Sequence, residues 1–135
     1  MPPPPGFSSL LRYFFKHPEK DIAILKIDEP MDIEHFDLEF SRKGHDVGDS
    51  AGYCGYPNRK DLACFTGRVS GFASGYINIH TYAFSGASGS LVVDMKGRAV
   101  GILSGIEVGT FYGVPTPLES VVWVVPLDPD VLSSL

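Results

Sequence analysis

The chain has 135 residues and a formal net charge of −5, with 44% hydrophobic and 20% charged residues. This length suits one compact domain with its own apolar core, and the negative charge argues against a nucleic-acid binder, which presents a basic face. No apolar run approaches the roughly 20 residues that a membrane-spanning helix needs, and the start, MPPPPG, lacks the features of a secretory signal. We therefore expect an intracellular protein of the cytoplasm that has no membrane partner.

The N-terminal third of the chain contains one clear strand pattern. Residues 1–16 form a predicted arm with a proline-rich start, and its apolar part, SSLLRYFFK, fits either a short helix or an extended segment. The stretch DIAILKI (21–27) is apolar and β-branched, which is typical of a strand buried on both faces. Residues 28–45 carry many charges and predict a surface loop or an edge strand.

A regular alternation of strands and turns begins near residue 47. Short links rich in Gly, Pro, Asn and Asp separate the apolar segments, and DMKGRAV is a hairpin signal in which Gly97 can take a positive φ. The predicted strands are 47–55, 63–72, 75–83, 90–95, 98–105 and 109–115. Strands with short links and no helical periodicity between them favour an all-β fold, either a closed antiparallel barrel or a sandwich.

The C-terminal segment TPLESVVWVV carries a helix signal. Thr116, Pro117 and Glu119 form a capping box with proline at the first helical position. This pattern predicts a short C-terminal helix over 117–125 that Pro126 ends, followed by a tail over 127–135. The valine-rich run leaves a seventh strand as the alternative.

Two cysteines flank the turn-rich segment GYPNRKDLA. A hairpin whose paired residue numbers sum to 118 would place Cys54 directly opposite Cys64, so a cross-strand disulfide is one possibility. In a reducing compartment, two free thiols are the expected state. Two cysteines do not supply the ligands of a zinc site, and we expect neither a metal nor a cofactor.

The segment SGASGSLVV (85–93) places Ser88 among small residues. An acyl-transfer serine needs a base, a group that orients the base, and N–H donors that face the developing oxyanion. A tight turn would direct the amides of Gly86 and Ser88 to one point, and glycine relieves the cost of such a turn. Small-residue loops that contain a serine are common, so this segment alone leaves an ordinary surface loop open.

Four segments in order resemble the trypsin-like serine proteases of the chymotrypsin fold (the PA clan), especially HtrA-type and viral members. GASGSLVVDMKGRAVGILSG resembles the nucleophile segment, and DIAILKI resembles the strand that begins with the triad aspartate. VGDSAGYCGYP with TGRVSGF resembles the opening hairpin of the second barrel, and FYGVPTPL resembles the last strand. The resemblance covers residues 17–118. It implies a remnant of the first barrel at 17–46 and a complete Greek-key second barrel at 47–126.

This resemblance implies specific roles. Ser88 would be the nucleophile of a peptide-bond hydrolase that works through an acyl-enzyme, Asp21 the orienting carboxylate, and the amides of Gly86 and Ser88 the oxyanion hole. Ala87 stands where secreted digestive members carry an aspartate that binds a cleaved N-terminus, so we expect no such activation. The implied substrate pocket consists of Tyr82, Ala83, Phe84, Ser85, Ser104, Gly105, Ile106 and Gly113. No acidic residue lies at its base, so we expect a small or apolar side chain in it rather than Lys or Arg.

The general base has no clear counterpart in the sequence. In the resembled family it precedes the aspartate by tens of residues, whereas only twenty residues precede Asp21 here. His17 is the one upstream histidine, and a local loop would have to fold back for it to act as the base. His35 and His45 are interpreted as surface histidines, and His80 as a strand histidine that borders the pocket in an alternative reading.

Three explanations for the absent base remain open. The chain is a piece of a longer protease, or an inactive homologue that binds peptides as a module, or one half of a site to which a second chain contributes the rest of the first barrel. Each of them implies a polypeptide substrate or peptide ligand. An unrelated small barrel, in which SGASGS is only a loop, is a further alternative.

Overall fold

A computed structural model describes residues 11–27, 37–41, 45–57 and 60–127. Its strands are β1 (Leu11–Lys16), β2 (Ala23–Ile27), β3 (Ser50–Gly55), β4 (Ala63–Ala73), β5 (Tyr76–His80), β6 (Leu91–Val93), β7 (Ala99–Phe111) and β8 (Val114–Pro126). β1 and β2 form an antiparallel two-stranded sheet, and the other six strands form a closed barrel in the order β3-β4-β5-β8-β7-β6. The predicted all-β antiparallel class is confirmed. Within the described ranges, no helix is long and apolar enough to span a bilayer.

Alternating apolar residues build the barrel core. On β5, Ile77 and Ile79 point inward, and on β8, Val122 and Val124 do the same. Burial of each such side chain stabilises the fold by about 1.5–3 kcal/mol. The largest fully buried side chains are Ile77, Ile79, Leu103, Val92, Val122, Val124 and Val125.

The prediction of a C-terminal helix over 117–125 is wrong, because this segment lies within β8. β8 pairs with β5 on one side and with β7 on the other. Val122 and Val124 enter the core from this strand, whereas the Trp123 indole donates a hydrogen bond of 2.8 Å to Glu107. A strand buries these alternate valines between two neighbours, and this packing outweighs the local capping signal.

The division of the last strands was also predicted wrongly. The segments 98–105 and 109–115 were expected as separate strands, but β7 continues through the predicted link to Phe111. The turn lies instead at Tyr112 and Gly113, whose φ angles are 51° and 77°. Two successive positive φ values are what a tight two-residue hairpin requires.

Several segments lie at least partly outside the described residues. The proline-rich start, most of the tail over 127–135 and His35 are among them. Of the predicted loop or edge strand over 28–45, the described part includes Phe40, which forms an isolated parallel bridge with Ala99. In the predicted arm, residues 11–16 are extended and pair with β2.

The expectation of free thiols is wrong in this structure, since Cys54 and Cys64 form a disulfide. The two residues are direct partners in the β3–β4 ladder, which is the register that the sequence arithmetic gave for a hairpin. Both cysteines are exposed on the barrel surface.

Asp94 anchors the β6–β7 hairpin, in which Gly97 has the predicted positive φ, here 78°. Its Oδ1 accepts hydrogen bonds of 2.9 Å from the amides of Lys96 and Arg98, and its Oδ2 accepts one of 3.0 Å from Arg98 Nε. Burial alone raises the pKa of Asp94, but the hydrogen bonds from Arg98, Lys96 and Ser41 outweigh it and hold the pKa below its ordinary value. The charged carboxylate therefore stabilises the hairpin.

We expect Asp94→Asn to lower the free energy of unfolding at pH 7 by about 1–2 kcal/mol. A carboxyl group with a lowered folded-state pKa stabilises the protein above its unfolded-state pKa, and this contribution is lost as the pH falls through the folded-state pKa. The wild type should therefore lose stability below about pH 4 more steeply than the variant. Urea denaturation across this range measures both effects, with exposed Asp61→Asn as the control. Equal acid sensitivity of wild type and Asp94→Asn would contradict the assignment.

Gly67 lies where β4 passes very close to the end of β5. A Cβ at this position would collide with the carbonyl oxygen of His80 and the side chain of Thr81. Gly71, on the same strand, has no heavy atom within 4 Å of the corresponding position. The close approach at Gly67 is thus a local requirement of the barrel.

We expect Gly67→Ala to lower the free energy of unfolding by about 1–3 kcal/mol, because overpacking moves the backbone. Gly71→Ala is the matched control and should change it by less than about 0.5 kcal/mol. Chemical denaturation of both variants makes the comparison, and equal values would show that this approach imposes no constraint.

Candidate active site

Two consecutive turns present Ser88. In the first, Phe84–Ala87, the last amide donates a hydrogen bond of 3.2 Å to the first carbonyl, and in the second, Ala87–Ser90, this distance is 3.1 Å. Gly86 and Gly89 occupy the third positions of these turns with φ angles of 96° and 91°. Residues other than glycine rarely adopt such φ angles, so the spacing of the two glycines determines both turns. Ser88 is left exposed at the second position of the second turn.

The amides of this segment divide into two groups. Those of Ala87, Gly89 and Ser90 donate hydrogen bonds to backbone carbonyls. In the described part of the chain, the amides of Gly86 and Ser88 donate none, and both residues are exposed. An oxyanion hole needs N–H groups that are available to a substrate oxygen. Their role in such a hole stays a prediction, with which this pattern is compatible.

The barrel core holds the turn Ala87–Ser90, which contains the predicted nucleophile and is called the nucleophile turn below. The amide of Gly89 donates to the Leu103 carbonyl at 2.7 Å, and the amide of Leu103 donates back to Ser90 at 2.9 Å. Ala87 is 2% exposed and belongs to the core. An aspartate at this position would place a carboxylate in apolar surroundings at considerable cost.

An aromatic cluster supports the segment that precedes Ser88. Tyr53, Phe65, Tyr82 and Phe84 pack with ring-centroid distances of 5.0 Å to 6.1 Å. The hydroxyl of Tyr53 donates a hydrogen bond of 2.6 Å to the Tyr82 carbonyl, and the residue is 3% exposed. Burial, followed by the charge of the Tyr82 phenolate, raises the pKa of Tyr53 to about 12. Sequence reasoning missed Tyr53, although strand alternation places it on the same inward face as Ala51.

We expect Tyr53→Phe to lower the free energy of unfolding by about 1–2 kcal/mol at neutral pH, because the Tyr82 carbonyl loses its donor. A raised tyrosine pKa stabilises the fold below the unfolded-state value near 10, and this contribution is lost as the pH rises towards about 12. The wild type should therefore lose more stability than the variant between these pH values. Denaturation at alkaline pH tests this, with Tyr56→Phe, an exposed tyrosine, as the control.

A hydrogen-bonded path connects Asp21 to Ser88 through Ser104. Ser104 Oγ donates to Asp21 Oδ2 at 2.7 Å, and Ser88 Oγ donates to the Ser104 carbonyl at 3.1 Å. The structure thus brings together two residues that sequence reasoning assigned to one site although they are far apart in the chain. Ser104 was expected to line the substrate pocket, and its contact with Asp21 was not foreseen, since no sequence pattern encodes that pairing.

The structure does not join His17 to this path. The residue is buried, and its Nδ1 accepts hydrogen bonds of 3.1 Å each from the amides of Glu19 and Lys20. A base in a triad donates from Nδ1 to the carboxylate, but here Nδ1 is the acceptor. His17 therefore closes the turn that precedes Asp21, and no hydrogen bond links it to Asp21 or Ser88 among the described residues.

The other described histidines lie elsewhere. His45 borders an open cavity of about 190 Å³ that Asp94 and Arg98 also line. His80 is exposed at the end of β5, opposite Arg68 and Val121. Within the described ranges, no histidine forms a hydrogen bond with Asp21 or Ser88.

The residues predicted to form the substrate pocket do not all lie together. Tyr82 and Ser85 are exposed, Ala83 and Phe84 are buried in the core, and Ser104, Gly105 and Ile106 are half-buried on β7. Ile106 packs against the core. Gly113 lies at the tip of the β7–β8 hairpin, roughly 20 Å along the strand from Ile106. The pocket itself is not defined by these positions, so the assignment of Gly113 to it stays a prediction.

The chain belongs to the trypsin-like peptidase family. The family model for a trypsin-like peptidase domain matches residues 11–102, which is more than half of the sequence. This span includes Asp21, the turn that contains Ser88 and the start of β7, and it ends before Ser104. No curated protein sequence matches the chain.

Two solved structures show the same fold. One is Rv3671c from M. tuberculosis H37Rv, a serine-to-alanine mutant in an inactive form, with a TM-score of 0.62 and 16% identity. The alignment covers 87% of this chain and 58% of that one. The other is the HtrA-type protease AlgW with a decapeptide, with a TM-score of 0.59, 23% identity, and coverage of 82% and 34%. The chain thus spans less than two thirds of either protein.

Proposed function

We propose that this chain is a serine endopeptidase domain that cleaves peptide bonds through an acyl-enzyme on Ser88. The path Asp21–Ser104–Ser88 carries this proposal, because it places a carboxylate and an exposed serine in one site. Asp21 acts through a base that the described residues do not contribute. Without such a base, a serine hydrolase loses several orders of magnitude in rate.

The reaction follows from the groups present. Ser88 Oγ attacks the peptide carbonyl carbon, and the base takes the hydroxyl proton. The amides of Gly86 and Ser88 stabilise the oxyanion. The C–N bond breaks as the base returns the proton to the leaving amine, and water then hydrolyses the ester and regenerates Ser88.

The exposure of Asp21 and Ser88 leaves room for an imidazole from outside the described residues. Ser104 occupies Oδ2 of Asp21, and Oδ1 remains to accept the Nδ1–H of a histidine. A second chain is the proposed source of this imidazole. The substrate is a polypeptide with a small or apolar side chain at the cleaved bond, because none of the residues assigned to the pocket is acidic.

We expect free imidazole to increase the labelling of Ser88 by a fluorophosphonate probe by about a hundredfold, because it replaces the general base. Ser88→Ala should abolish labelling, and Ser70→Ala, which replaces an exposed serine of β4 outside the predicted site, is the control that should retain it. Mass spectrometry of the labelled peptide identifies the site. Equal labelling in the Ser88→Ala and Ser70→Ala variants would rule out Ser88 as the nucleophile.

A second candidate function is a peptide-binding module without catalysis. It is favoured by the hydrogen bonds that His17 Nδ1 accepts from the amides of Glu19 and Lys20, because a triad base donates from this nitrogen instead. In this case an extended peptide would pair with a strand of the barrel, and the folded chain would bind peptides without being labelled, even with imidazole. Titration of the Ser88→Ala variant with extended peptides separates the two functions.

A further inference from the structure

We propose that the Cys54–Cys64 disulfide is a thiol-exchange site for dithiol reductants, and that its redox state sets the rigidity of the segment that presents Ser88. The consequence for catalysis rests on the function proposed above. The structural effect on the segment from Tyr82 to Ser88 does not.

The disulfide is accessible to an attacking thiol. Both cysteines are exposed, and they border an open cavity of about 370 Å³ on the barrel surface. An exchange reaction requires a thiolate to reach one sulfur directly, and exposed disulfides are reduced more readily than protected structural ones. The cavity is mostly apolar, and Phe65 and Met95 line it beside the two cysteines.

On β3, the two residues that flank Cys54 contact the segment before Ser88. Tyr53, which precedes Cys54, donates to the Tyr82 carbonyl at 2.6 Å. Gly55, which follows it, leaves space for the Phe84 ring, whose tip would lie 3.0 Å from a Cβ at this position. A shift of this part of β3 would therefore disturb both contacts.

On β4, the residue next to Cys64 contacts the same segment. The Phe65 ring packs against Tyr82 and Phe84 at centroid distances of 5.0 Å and 5.9 Å. The disulfide therefore cross-links β3 and β4 beside the residues that contact Tyr82 and Phe84.

The barrel offers little other support here. β3 pairs with β4 along its whole length, but its described pairing with β6 is confined to Gly52 and Val93. Tyr53, Cys54 and Gly55 lie beyond that contact and depend on β4. The disulfide therefore restricts the motion of the end of β3, which is paired with β4 but not with β6.

Reduction of the disulfide proceeds through two successive exchange steps. A thiolate of the reductant attacks one cysteine sulfur, the S–S bond breaks, and the other sulfur leaves as a thiolate that takes up a proton. The second thiol of the reductant then resolves the mixed disulfide. The products are two cysteine thiols and the disulfide of the reductant, and two electrons have been transferred.

Hydrogen exchange of the full chain before and after treatment with dithiothreitol tests this proposal. We expect reduction to increase amide exchange by about tenfold in the segment from Tyr82 to Ser90, with the amides of Ile77 and Val124, which lie in the β5–β8 ladder, unchanged as internal controls. The double variant Cys54→Ser/Cys64→Ser should match the reduced wild type and be insensitive to dithiothreitol.

Three results would overturn the proposal. The disulfide could resist dithiothreitol in the folded chain, the segment could exchange equally in both states, or exchange could rise throughout the barrel, as for a general structural staple. None of these measurements requires a base or a substrate. Failure here would leave Ser88 labelling unaffected, and failure of that labelling would leave the exchange result intact.

Discussion

Two adjacent residues of β7 connect the barrel core to the candidate site. The Leu103 side chain is fully buried, and its backbone pairs with Gly89 and Ser90, the last two residues of the turn that contains Ser88. The side chain of Ser104 faces the other way and donates to Asp21, while its carbonyl accepts from Ser88. The alternation of side chains along one strand thus ties the position of the nucleophile turn to the packing of the core.

The second support of the site comes from the β3–β4 hairpin. Its inward aromatic residues hold the segment that leads to Ser88, and its exposed disulfide lies on the opposite face of the same strands. The buried hydroxyl of Tyr53 is fixed by one short hydrogen bond. A few residues of these two strands therefore contact both the core and the segment before Ser88, and they lie next to the disulfide.

The predicted nucleophile Ser88 and the predicted orienting carboxylate Asp21 are connected through Ser104. His17 shows how a nearby histidine can be committed to another purpose, because two backbone amides occupy its Nδ1. Asp21 and Ser88 are both exposed, and in the proposed function an external imidazole acts between them. Asp21 lies in the connection between β1 and β2, and Ser88 lies in the link between β5 and β6 of the barrel, so the contact joins two separate parts of the chain.

The sequence by itself determined the β class, the hairpin at Gly97, the register of Cys54 with Cys64 and the family, because turn glycines and short-range pairing are local properties. Only the tertiary structure decided the rest. The segment after Thr116 became a strand because β5 and β7 bury its alternate valines, which no capping signal can outweigh. The contact of Ser104 with Asp21 and the support that Tyr53 gives to Tyr82 join residues that are distant in sequence. Such contacts depend on how the barrel closes, and the sequence does not reveal them.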